Sequence, residues 1–75
     1  MYKDYEIRLG KKIKHLREKR GFTLEQLANK LQLSGCDISV YSLSRIEHNQ
    51  KHIRVFELKC LKEALNVTYE ELMEN

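Results

Sequence analysis

Between Lys3 and Arg20 the apolar residues Tyr5, Leu9, Ile13 and Leu16 recur at steps of four, four and three. That spacing lines one face of an α-helix and predicts the first element. Gly21 ends it, because a glycine just past the last turn takes the left-handed conformation at little cost. "TLEQ" follows at once. Thr23 as N-cap and Gln26 three residues on make a capping box, and Leu24, Leu27, Ala28 and Leu31 supply the stripe of a second, shorter helix. The pattern runs to Leu33 and stops at Ser34 and Gly35. A third helix begins after Ser39, turns Leu43 and Ile46 inward and ends at His48 or Asn49. A fourth, from Arg54 to Leu65, places Val55, Leu58, Leu61 and Leu65 at steps of three, three and four. Thr68 with Glu71 repeats the capping box and starts a terminal helix containing Leu72. The expectation is an all-α bundle of five helices without strands, with Tyr2 and Tyr5 packed on the first.

Composition narrows the function. A chain of 75 residues reads as one domain, 1–75, near the size at which a single core becomes marginal. A large catalytic cleft does not fit, and no paired carboxylates, nucleophile with base or glycine-rich phosphate loop stands out, so the chain reads as a non-enzyme. Proline is absent and glycines number three, which removes the turn punctuation of an all-β chain. No apolar run approaches a membrane span or signal peptide, which points to a cytoplasmic protein with no membrane partner. Residues 1–37 hold nine Lys or Arg against five Asp or Glu, and residues 38–75 hold five against six. The basic run "GKKIKHLREKR" alone describes a solvated helix face, but a pI of about 9.0 fits a nucleic-acid partner.

Cys36 and Cys60, with no secretory signal, are expected as reduced thiols. With His48 and His52 they form a nominal zinc set. A zinc finger, however, pairs its cysteines at close spacing, which is missing here, so no metal is expected. No cofactor or small-molecule ligand is evident.

The second and third helices are short, adjacent and joined by a small turn, the pattern of a helix-turn-helix whose second helix enters the major groove. "VYSLSRIE" suits that task. Ser39, Ser42 and Ser44 are short enough to let the backbone approach, although Ser42 reads equally well as a residue filling a tight turn. Arg45 has the reach and fork for guanine O6 and N7, and Val40 and Tyr41 can meet a thymine methyl. Ser39 also caps the helix, leaving N–H groups suited to a phosphate.

Three blocks, "LGKKIKHLREKRGFTLEQLANKL", "SLSRIEHNQK" and "ELKCLKEALNVTYEEL", resemble the lambda-repressor-like, or Xre-type, family of helix-turn-helix domains over residues 9–73. The resemblance implies a five-helix bundle that binds operator double-stranded DNA, commonly as a homodimer, and so a transcriptional regulator, most simply a repressor. It assigns base contacts to Val40, Tyr41, Ser44 and Arg45. Phosphate contacts fall to Thr23, Ser39, Asn49, Gln50, Lys51 and Arg54, with Lys51 foremost. Arg17 and Glu47 match a pair that joins the first helix to the end of the reading helix. Tyr69, Leu72 and Met73 are the candidate dimer contact, because the last helix has apolar groups to spare. Two features depart from the family. "QLSGCDIS" lengthens the turn between the two helices, read as an extension of the second helix ended by Gly35 plus a loop at Cys36 and Asp37. Leu24 stands where many relatives carry a glutamine that reaches a phosphate. The alternative function is a protein-interaction module, an antitoxin or anti-repressor partner built on the same bundle, whose binding would lack the steep salt dependence of a DNA complex.

Overall fold

The computed structural model describes residues 4–74, with side chains from residue 8 onward. The expected packing of Tyr2 and Tyr5 lies outside the described side chains. Among the described residues the chain forms five helices and no strand: α1 (Asp4–Lys19), α2 (Leu24–Leu33), α3 (Val40–Glu47), α4 (Val55–Leu65) and α5 (Tyr69–Met73). α1 packs against α3, α4 and α5, and α2 against α3 and α4. The bundle measures 31 × 21 × 20 Å.

The stripes meet in one core. Ile13, Leu27, Leu31, Leu43, Leu61 and Leu65 are fully buried, and each contributes roughly 1.5–3 kcal/mol by removing its apolar surface from water. Ile38, in the turn between α2 and α3, is buried with them and anchors that turn. Leu72 is also in this core, at 1% exposure. It therefore has no surface to offer a second subunit, and of the three residues expected at a dimer contact only Tyr69 and Met73 are exposed.

Each of the first four helices closes the same way. The N–H just after a left-handed residue bonds back to the carbonyl five positions earlier: Phe22 to Arg17, Cys36 to Leu31, Gln50 to Arg45 and Val67 to Lys62. These are Schellman motifs, and each requires a left-handed residue just before the donor. Gly21 and Gly35 supply it at φ 79° and 88°, while Asn49 and Asn66 supply it at 60° and 56°. Asparagine is the residue after glycine that best tolerates this region. Arg20 reinforces the end of α4, its guanidinium donating to the carbonyls of Leu65 and Asn66 at 2.9 and 3.3 Å.

One expectation is corrected here. Cys36 and Cys60 are not reduced thiols but are joined in a disulfide, with their Cα atoms 6.3 Å apart. The Schellman turn at Gly35 sends the chain back across α2, and this brings Cys36 over the face of α4 that carries Cys60.

Candidate nucleic-acid interface

α3 is eight residues long, about 12 Å, too short to be stable without its neighbours. At its start the Ser39 hydroxyl accepts from the Ser42 N–H at 3.1 Å, which leaves the N–H groups of Val40 and Tyr41 at the open end of the helix. Ser42 itself is half-buried. The inward residues Leu43, Ile46 and Glu47 are buried, so α3 can turn only one face outward.

That face carries Val40, Tyr41 and Arg45. Tyr41 is 72% exposed and Val40 38%. The Arg45 guanidinium carbon lies 5.5 Å from the centroid of the Tyr41 ring, and Nη2 donates to the Gln50 carbonyl at 2.9 Å. The arginine is thus stretched along the helix surface between an aromatic face and a loop carbonyl, which limits the rotamers it would give up on binding. Ser44 is half-buried beside His48, whose Nδ1 lies 2.8 Å from the Ser44 carbonyl.

The end of α3 is fixed to α1 by a bidentate pair. Arg17 Nε donates to Glu47 Oε2 at 2.7 Å and Nη2 to Oε1 at 3.1 Å, while Nη1 donates to the Phe22 carbonyl at 2.7 Å. Arg17 is 8% exposed and Glu47 4%. The hydrogen bond that Arg17 donates to Glu47 raises the Arg17 pKa above its ordinary value, against the opposing effect of burial.

The residues after α3 divide between surface and scaffold. Gln50 and Arg54 are exposed, although the backbone of Gln50 is tied to Arg45 at both its N–H and its carbonyl. Asn49 is left-handed, and its Oδ1 is turned toward Gly10 on α1. Lys51 Nζ donates to Glu57 Oε2 at 3.1 Å. Glu57 is buried, and its other oxygen accepts the Arg54 N–H at 2.9 Å, capping α4. Lys51 therefore neutralises a buried carboxylate, and its side chain keeps 22% of its surface. Thr23, at the start of α2, is exposed and engaged in its capping box with Gln26. Leu24 beside it packs against the core.

Sequence reasoning missed two residues that set this geometry. Gly10 faces the end of α3 so closely that a Cβ there would lie 2.6 Å from the Ile46 carbonyl oxygen. The available signal was a glycine inside a run of strong helix formers, which needs a packing reason to be there. Glu57 was readable as the acidic residue three positions after Arg54, the position of an N3 cap.

The sequence profile of the helix-turn-helix domain family matches residues 10–75. The chain belongs to that family, a class of DNA-binding regulators. No curated protein and no solved structure matches it.

Proposed function

We propose that the chain is a lambda-repressor-like domain that binds double-stranded operator DNA sequence-specifically and represses transcription, acting in the cytoplasm without catalysis or cofactor. The observation that carries this reading is the outward row Val40, Tyr41 and Arg45 on a short helix clamped to the bundle. Val40 and Tyr41 supply apolar contact to thymine methyls, Arg45 supplies a fork for guanine, and half-buried Ser44 lets the backbone come close. The open N-terminus of α3 after Ser39, together with Thr23, Gln50, Lys51 and Arg54, supplies phosphate contacts that set register. Asn49 contributes through its backbone turn, since its side chain is directed at α1.

One such helix reads few base pairs, so the working form is a homodimer. Half-sites repeat every ~34 Å along the duplex, and a bundle 31 Å in its longest dimension lets two adjacent copies reach successive major grooves. Tyr69 and Met73, with Val55 sharing a hollow with Met73, are the exposed apolar residues for that contact.

The test is selection of bound sequences from a random duplex pool, followed by salt titration on the selected site. The reading expects a two-fold symmetric motif and an affinity that falls steeply with salt. Enrichment of no sequence, with salt-insensitive retention of a protein partner instead, would refute it.

A further inference from the structure

Cys36 lies in the turn that joins the two helices of the helix-turn-helix, one residue past left-handed Gly35. Cys60 lies in the middle of α4, 24 residues further along. Their bond ties the turn that aims α3 to a helix outside the motif. The two sulfurs differ in access, since Cys36 is half-buried in a surface turn and Cys60 is 8% exposed. A protein that works on DNA inside a cell meets a thiol pool that keeps permanent disulfides rare, and disulfides that do form there are transient and redox-sensing.

We propose that Cys36–Cys60 is a reversible redox site that controls DNA reading: the disulfide form holds α3 in its reading orientation, and reduction by a dithiol releases it. The proposal rests on the DNA-binding reading given above. A thiolate of the reductant attacks the Cys36 sulfur, the accessible one, and forms a mixed disulfide while the Cys60 sulfur departs and takes up a proton. The second thiol of the reductant then attacks the reductant's own sulfur in that mixed disulfide. It closes a cyclic disulfide and releases Cys36, which is protonated in turn. The protein gains two electrons and two protons, and the dithiol loses them. Exchange in the reverse direction with a disulfide oxidant closes the bond again.

Once the bond is open, the turn is held by Ile38 in the core, by the Schellman hydrogen bond of Cys36 and by the Ser39 cap. These keep α2 and α3 folded, but the covalent tie between the turn and α4 is gone, leaving only the packing of Ile38 in the shared core. If the reading orientation is then occupied about one tenth of the time, the apparent Kd rises about tenfold.

The experiment equilibrates the full chain in buffers of reduced and oxidised dithiothreitol at room temperature. Free thiols are counted by alkylation and mass, helix content by circular dichroism, and affinity by anisotropy on the selected operator and on scrambled DNA. The expected result is that two thiols appear together, operator affinity falls about tenfold over the same potential range, and helix content holds. The C36A/C60A variant should match the reduced chain and ignore the buffer, and C36S/C60A serves the same purpose should the first variant fold poorly. Equal operator affinity at both ends of the range overturns the proposal, as does failure to release thiols in the strongest reductant. Loss of helix on reduction also overturns it, because the bond is then a permanent staple. Absence of any sequence preference in either state overturns the DNA reading and the coupling with it, while the thiol count still decides whether the site is reversible.

Discussion

Gly10→Ala is the sharpest test of how α3 is held. At an exposed helical position this change stabilises by about 0.8–1 kcal/mol, since alanine is the better helix former. Here the new Cβ would stand 2.5 Å from Asn49 Oδ1, 2.6 Å from the Ile46 carbonyl oxygen and 3.2 Å from that of Glu47. Rotation of the Asn49 side chain relieves the first contact. The second is backbone at the end of α3 and cannot rotate away. Restoring ordinary contact requires α1 and α3 to part by about 0.8 Å. Two turns along the same face, Arg17 Nε and Glu47 Oε2 are 2.7 Å apart, and the same displacement takes them to the limit of a hydrogen bond. Overpacking a tight contact costs about 1–3 kcal/mol, and weakening the buried pair adds to it, so the clash outweighs the propensity gain. The expected net loss is about 1–3 kcal/mol, or a Tm lower by roughly 4–8 °C per kcal/mol. Urea and thermal denaturation measure it, with Lys11→Ala against Lys11→Gly calibrating the propensity of α1 itself. Asn49→Gly added to Gly10→Ala should recover only part of the loss, because it removes the side chain and leaves the Ile46 carbonyl. A Gly10→Ala protein as stable as the parent, or full rescue by Asn49→Gly, would show that backbone approach between α1 and α3 is not the constraint.

The remaining predictions concern charged groups. Glu47→Gln leaves Arg17 buried with a neutral partner, and urea denaturation should register a loss of about 3 kcal/mol; an Arg17→Met, Glu47→Leu double variant should recover most of it. Arg45→Ala should cost about 1–3 kcal/mol on the operator and far less on scrambled DNA, with Tm nearly unchanged. Lys51→Ala should weaken all duplexes alike and lower the salt slope by roughly one unit per protomer. It should also lower Tm, because Glu57 then stays buried without its cation. Glu71 has its pKa lowered, first by the hydrogen bond it accepts from the Thr68 N–H and against an opposing desolvation effect. Its cap on α5 is therefore fully present above the unfolded carboxylate value of about 4.3 and lost as pH falls through the lower folded value, which protection of the Thr68 amide relative to its intrinsic exchange rate should follow; protection unchanged between pH 6 and pH 3 would refute the role.

What could be read from sequence was whatever is local. The stripes at Leu9, Ile13 and Leu16 and at Leu24, Leu27 and Leu31 fix which face of each helix goes inward, and the caps Thr23, Ser39 and Thr68 mark where helices start. Gly21 and Gly35 announce left-handed turns because glycine adopts them freely. Asn49 and Asn66 make the same turns without announcing them, since asparagine is equally at home in many loops and on phosphate-facing surfaces. Pairings across the bundle were less legible. Arg17 and Glu47 are 30 residues apart, and only the family resemblance brought them together. Cys36 and Cys60 have one possible mutual pairing, but the side of α4 to which the lengthened turn delivers Cys36 is a tertiary fact. Lys51 was legible as a long cation in a loop. That a buried carboxylate claims it depends on Glu57 pointing back at the start of its own helix.

These tertiary contacts decide how the outward face of α3 is presented, and so what it can read if the proposed function holds. An eight-residue helix carries little stability of its own, so its direction is set by what grips its ends. At the start the grips are Ile38, the Ser39 cap and, through Cys36, α4. At the finish they are the Gly10 approach, the Arg17–Glu47 pair and the left-handed turn at Asn49. None of these residues needs to touch a base, yet a shift of ~1 Å at either end displaces Tyr41 and Arg45 together relative to the groove, which is enough to spoil bidentate geometry. Variants at the grips should therefore lower affinity across every preferred site and lower stability with it, whereas variants at Val40, Tyr41 and Arg45 should alter which site is preferred and leave the fold alone. On the proposed reading, discrimination and stability are separable because one face of α3 is offered to DNA while the opposite face, with Leu43, Ile46 and Glu47, is buried in the bundle.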